Sequence, residues 1–139
     1  MALLHLSDAI RNAACNAVVD AIDDGGQGTI EIYGGTGVLP LSPDDPVPAW
    51  AELLATLQFA APAFGPATAG TATADTISPV LAIADGTASW ARVKDGNGIA
   101  LMDVDVSDTS ATLILNTVTI VTGATVAISS ASITMPSGA

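Results

Sequence analysis

Basic residues are scarce in this chain: Arg11, Arg92 and Lys94 stand against 14 acids, for a formal net charge of −11. Nucleic-acid binding needs a basic footprint that displaces counterions from phosphate, and three cations cannot form one. The same sign excludes an anionic membrane surface. Basic protein surfaces and cations are the partners that the charge admits, beside plain solubility through self-repulsion. Cys15 is the single cysteine, so a disulfide-stapled scaffold is excluded. His5 is the single histidine. It leaves a Ser-His-Asp arrangement one candidate base, ahead of any regular element, and leaves Cys15 no second histidine to activate it. Long apolar runs are missing too. Residues 111–128, the most apolar stretch, are interrupted by Asn116, Gly123 and several threonines and read poorly as a membrane span. The opening Met-Ala-Leu-Leu-His-Leu-Ser-Asp has no charged start and is not expected to be a signal peptide. The chain is expected to be made and folded in a cytoplasm.

What is present is apolar mass. Apolar residues make up 50% before the 13 glycines are counted, and charged residues only 12%, about half the usual share. A domain of this size buries about two-thirds of its unfolded surface, so part of this content is expected outside or against a partner, which points to oligomeric burial. One domain over residues 1–139 is expected, with an N-terminal segment and helix in 1–26 and a β-sandwich in 27–139.

Ser7-Asp8 is a good helix start, with a capping hydroxyl and an acid in the first turn. Ile10, Ala14, Ala17, Val18, Ala21 and Ile22 follow at helical spacing, Gly25-Gly26 ends the run, and Arg11, Asn12, Asn16, Asp20 and Asp23 fall mostly on the other side. Asp20, Asp23 and Asp24 crowd the C-terminal turn, where the helix dipole disfavours anions; they read as a solvated end or as a seat for a basic partner. Leu3, Leu4 and Leu6, ahead of the cap, have no evident place in a β core. These six residues are the candidate docking set.

Beyond the helix, short β runs alternate with glycine, proline and Asp/Asn turns. Residues 29–33 alternate and end at Gly34-Gly35. A proline-rich loop spans about 38–50, with Pro40, Pro43, Pro46 and Pro48. Residues 53–59, 77–83 and 89–94 read as strands. Asn97-Gly98 suggests a type I′ hairpin turn, whose register sets Val93 opposite Met102, Ala91 opposite Val104, Arg92 opposite Asp103 and Trp90 opposite Asp105. Residues 111–115, 118–121 and 125–135 complete the strands, with a bulge near Ser129-Ser130 where the apolar parity switches. Strand signals about every ten residues favour a mainly β fold, a β-sandwich or jelly roll with one N-terminal α-helix.

Candidate chemistry is thin. Gly34-Gly35-Thr36-Gly37 follows a strand as a nucleotide-binding turn would, but the chain then enters the proline-rich loop instead of a helix, and a plain turn is the better reading. Asp103 and Asp105 leave one strand face about 7 Å apart, a spacing open to paired-acid hydrolysis or to calcium ligation; a solvated face with Arg92 as partner reads more simply. Asp95-Gly96-Asn97 lacks the other acids of a calcium loop. Trp50 and Trp90 are either sugar-stacking platforms or ordinary packing residues. No cofactor, metal site or catalytic residue is assigned.

The order of motifs carries a resemblance. Leu-Ser-Asp-Ala-Ile-Arg-Asn-Ala leads to Ile-Glu-Ile-Tyr-Gly-Gly-Thr, Leu-Leu-Ala-Thr-Leu-Gln-Phe and Pro-Ala-Phe-Gly. Gly-Thr-Ala-Ser-Trp-Ala-Arg-Val-Lys-Asp-Gly-Asn-Gly follows, then Leu-Asn-Thr-Val-Thr-Ile-Val-Thr-Gly-Ala-Thr-Val-Ala-Ile-Ser-Ser and Ile-Thr-Met-Pro. Over nearly its whole length the chain resembles small virion proteins of tailed bacteriophages and prophages, encoded among head and tail genes. The resemblance implies a non-enzymatic virion component, first a minor capsid (decoration or cement) protein, with a tail or head–tail component as its rival. The implied partners are a major capsid protein, other virion subunits or copies of the chain itself. A carbohydrate-binding sandwich on a fibre, and a small hydrolase using Asp103 and Asp105, are the readings from other classes.

Overall fold

The computed structural model describes residues 4–137. Helix α1 spans Asp8–Asp20, and Ser7 caps it, its Oγ accepting from the Ile10 amide at 3.3 Å. A 3-10 turn, Ala21–Asp23, continues the helix, and Gly25 and Gly26, both at positive φ, end it.

The protein is mainly β. Strands β1 (Thr29–Gly34), β2 (Glu52–Gln58), β3 (Thr71–Thr73), β4 (Val80–Leu81) and β5 (Gly86–Lys94) are followed by β6 (Ala100–Ser107), β7 (Leu113–Leu115), β8 (Thr119–Ile120), β9 (Thr125–Val126) and β10 (Ile128–Thr134). The main sheet runs β2-β1-β5-β6-β7-β10-β3, with β8 on the start of β5, and β4 and β9 form a separate pair. All pairings are antiparallel except β6 with β7. Leu57, Ile32, Val93, Leu113 and Ala131, from strands spread along the sheet order, meet Val19 and Ile22 in one buried cluster. The sheet therefore wraps its own core in a sandwich-like way, and the N-terminal helix covers part of it.

The β5–β6 register is the expected one, Trp90–Asp105, Ala91–Val104, Arg92–Asp103 and Val93–Met102. Its turn is not type I′. Only Gly98 has positive φ there, and its amide donates to the Asp95 carbonyl at 3.1 Å, which makes a type I turn followed by a left-handed glycine bulge. The reason lies in Asp95, a buried acid whose Oδ1 accepts from the Asn97 and Ile99 amides at 2.9 Å each. That carboxylate replaces the backbone pairing a two-residue turn would need. The parity switch in the last strand falls as expected: β10 pairs Ile128 with Leu115 and Ser130 with Ile114, bulging at Ser129. Of residues 77–83 only Val80–Leu81 form a strand, and β3 lies in a stretch where the sequence suggests none.

Helix α1 turns its polar flank inward. Asn12 Oδ1 accepts from the Gly70 amide at 2.8 Å, Asn16 Oδ1 from Ala67 at 2.8 Å and Asp23 Oδ1 from Ala63 at 2.9 Å. Arg11 donates through Nε and Nη2 to the Met135 carbonyl, and buried Cys15 donates through Sγ to the Ile133 carbonyl. Residues 60–70 are irregular chain, and these side chains pair backbone amides that have no strand partner. Ile10, Ala13, Ala14, Ala17 and Ala21 consequently face outward and stay exposed.

Candidate functional site

Asp103 and Asp105 do not form a site together. Asp103 holds Arg92 in a two-pronged pair (Nε–Oδ1 2.8 Å, Nη2–Oδ2 3.1 Å). Asp105 Oδ1 accepts from the Thr112 amide at 3.0 Å, and Thr112 keeps that carboxyl below its ordinary range. Paired-acid hydrolysis needs one carboxyl raised to serve as the acid, and Asp105 is moved the other way. Asp105 is exposed and Asp103 half-buried, so the face is solvated at the Asp105 end, while its Arg92 end is covered. Arg92 Nη1 donates to the Asp45 carbonyl at 2.7 Å, so the proline-rich loop lies over that end. Trp90 is only 1% exposed, stacked on Tyr33 with Arg92 5.6 Å from its ring centre. A buried Trp90 cannot serve as a sugar platform, and its Nε1 finds no acceptor.

Of the docking set, Leu3 lies outside the described residues. Leu4 is 61% exposed; Leu6 is half-buried, its amide donating to the Ser137 carbonyl. Asp20 and Asp24 are exposed, whereas the Asp23 carboxylate is engaged with Ala63. His5, ahead of the cap, is exposed. Among the described residues no three His, Cys, Asp or Glu side chains are grouped to hold a metal, and no helix is long and apolar enough to cross a membrane.

The structure assembles a cleft elsewhere, of about 400 Å³, at one end of the β2-β1-β5 strands. Its floor is the Leu54 side chain beneath Gly34 and Gly86, where a Cβ at either glycine would stand 3.0 Å from Leu54 methyls. Trp50 forms one wall. A Cβ on Gly37 would stand 2.4 Å from Trp50 Nε1, and one on Gly35, at φ +105°, 2.5 Å from the Trp50 carbonyl. Gly35 and Gly37 of the glycine-rich turn thus let Trp50 lie against the backbone. The indole Nε1 donates to the Val38 carbonyl at 3.2 Å, which fixes the ring.

Glu52 and Asp85 supply the charge, and Thr36, Thr87 and Ser89 the hydroxyls, of this cleft. Asp85 Oδ1 accepts from both the Thr122 amide (2.7 Å) and the Thr122 hydroxyl (2.9 Å), and these bonds lower its pKa. No Lys, Arg or His lines the cleft. Trp50 and the glycine turn were visible as candidates in the sequence, but Glu52 and Asp85 were not. Only strand pairing places them, since β2 and β5 flank β1 and bring their ends beside Gly34. No family model, curated protein or solved structure matches this chain.

Proposed function

We propose that the chain is a non-enzymatic structural subunit of a bacteriophage virion, a minor capsid protein of the decoration or cement kind, held by the outward face of α1 and the segment before it. One observation carries this reading: α1 buries a polar flank beside Cys15 and Val19 and leaves most of its small apolar residues outside. A surface helix ordinarily turns its apolar stripe to its own core. Here Arg11, Asn12 and Asn16 point inward while Ile10, Ala14 and Ala17 are left outside. A face of small residues suits close approach of another chain, and Leu4, in the segment before the helix, is also exposed. The order of motifs and the acidic, apolar-rich composition support the same reading.

The test is incorporation into particles purified from cells that express the chain with its neighbouring head and tail genes. Ala17→Glu should leave the isolated protein folded, because the position is exposed, and should abolish incorporation. Deleting residues 1–6 should leave the β domain folded and reduce occupancy. Full incorporation of the Ala17→Glu protein would end the helix-docking model. Absence of the unaltered chain from particles would end the virion assignment. Electron microscopy of the particles separates a head position from a tail or head–tail one.

A further inference from the structure

Exposed apolar residues are tied by the backbone to both sides of the cleft. On the Trp50 side, Val38 of the proline-rich loop is 83% exposed. Val38 is tied to the wall by its carbonyl bond to the indole. On the Asp85 side, Ile83 and Val121 are 63% and 55% exposed. The Ile83 amide donates to the Leu54 carbonyl and Thr122 bonds Asp85, so both residues are fastened to the rim. The surface thus has apolar shoulders and an acidic, aromatic centre.

We propose that this cleft receives a lysine or arginine side chain from a basic protein other than this chain, with apolar neighbours of that side chain seated on the two shoulders. The proposal rests on the structural-subunit reading above and adds the chemistry of the partner. Two carboxylates beside an indole favour a cation, which gains from the ring face as well as from the charges. The alternatives fit less well. A glycan presents hydroxyls all round and would meet Val38, Ile83 and Val121 at the rim. A second copy offers only three cations, each already paired within its own chain: Arg11 with Asp8, Arg92 with Asp103 and Lys94 with Glu31. None of these pairs involves Glu52 or Asp85. A net charge of −11 also draws a basic surface in and repels a like one.

The probe is a short synthetic Leu-Arg-Leu peptide with blocked ends, titrated into ¹⁵N-labelled protein while the two tryptophan indole signals are followed. The Trp50 signal should move saturably and the buried Trp90 signal should not. Replacing arginine by uncharged citrulline should remove the shift, and raising salt to about 0.5 M should weaken it. Glu52→Gln, at an exposed position, and Asp85→Asn, which keeps an acceptor for Thr122, should together weaken binding about tenfold. A Trp50 signal that ignores the arginine peptide, or moves equally with citrulline, overturns the proposal. So does a shift produced by neutral oligosaccharides instead, or by raising the protein concentration alone. Particles separate the two readings. Full incorporation of the double variant would overturn the cleft proposal and leave the subunit assignment intact. An unaltered chain that binds the peptide but is missing from particles would do the reverse.

Discussion

Tyr33 is the only tyrosine in the chain, and its ring lies 4.8 Å from that of Trp90 while its hydroxyl donates to Glu31 at 2.9 Å. Burial first, then the Glu31 bond, raises its pKa far above the ordinary 10.0. A folded pKa above the unfolded one means that the neutral phenol stabilises the fold in full below the unfolded value, and that this contribution is lost as pH rises toward the folded one. Ultraviolet titration should therefore show no tyrosinate in the folded protein at about pH 11, where a free phenol is mostly ionised. The signal should appear together with unfolding. A tyrosinate signal near pH 10 in folded protein would contradict the buried placement. At the cleft, Gly35→Ala forces a side chain into φ +105° and against the Trp50 carbonyl; denaturant unfolding should show a loss of about 1–3 kcal/mol. The Arg92–Asp103 pair was legible in the sequence because a local hairpin fixes its register. The Trp50–Glu52–Asp85 cleft was not. Asp85 lies far along the chain from Trp50 and Glu52, and they meet only through pairing across β1.

Two elements show where local rules held and where long-range contacts overrode them. The β5–β6 hairpin took the expected register, but Asp95 redirected its turn. Gly98→Val should cost about 1–3 kcal/mol, since φ is +83° with open space around the missing Cβ. Asn97→Ala should cost under about 0.5 kcal/mol, because Asn97 is at negative φ. Equal losses at both positions in thermal melts would restore the type I′ turn. In α1 the cap and the glycine stop were readable, but the orientation was not. Periodicity reports which residues share a face, and says nothing of unpaired amides at Ala63, Ala67 and Gly70 that draw polar side chains inward. Asn12→Ala and Asn16→Ala should each destabilise by about 1–3 kcal/mol, leaving a part-buried amide without its acceptor. Ala14→Gln, on the outer face, should change stability by less than about 0.5 kcal/mol.

At the scale of the whole molecule, strand spacing was enough to give a mainly β, sandwich-like fold. It could not give the strand order, because β3 and β7 are three residues each, β3 pairs with distant β10, and β7 joins β6 in the one parallel pairing. The charge balance acts at this scale too. All three Lys and Arg side chains are paired, at 3.1 Å in Arg11–Asp8, 2.8 Å in Arg92–Asp103 and 3.1 Å in Lys94–Glu31, yet the net charge remains −11. Exposed pairs contribute about 0–1 kcal/mol each, and the Arg92 pair is mostly shielded from solvent, so added salt removes little attraction. It removes much repulsion, since the unpaired acids act on one another across the surface over distances that about 0.1–0.5 M salt screens. The melting temperature at pH 7 should therefore rise between low salt and about 0.5 M NaCl. Each 1 kcal/mol gained would appear as about 2–4 °C in a domain of this size. Sodium and potassium chloride should act alike, because the effect is one of screening and needs no specific ion. A melting temperature that fell with salt would mean that the three internal pairs outweigh the repulsion of the remaining acids.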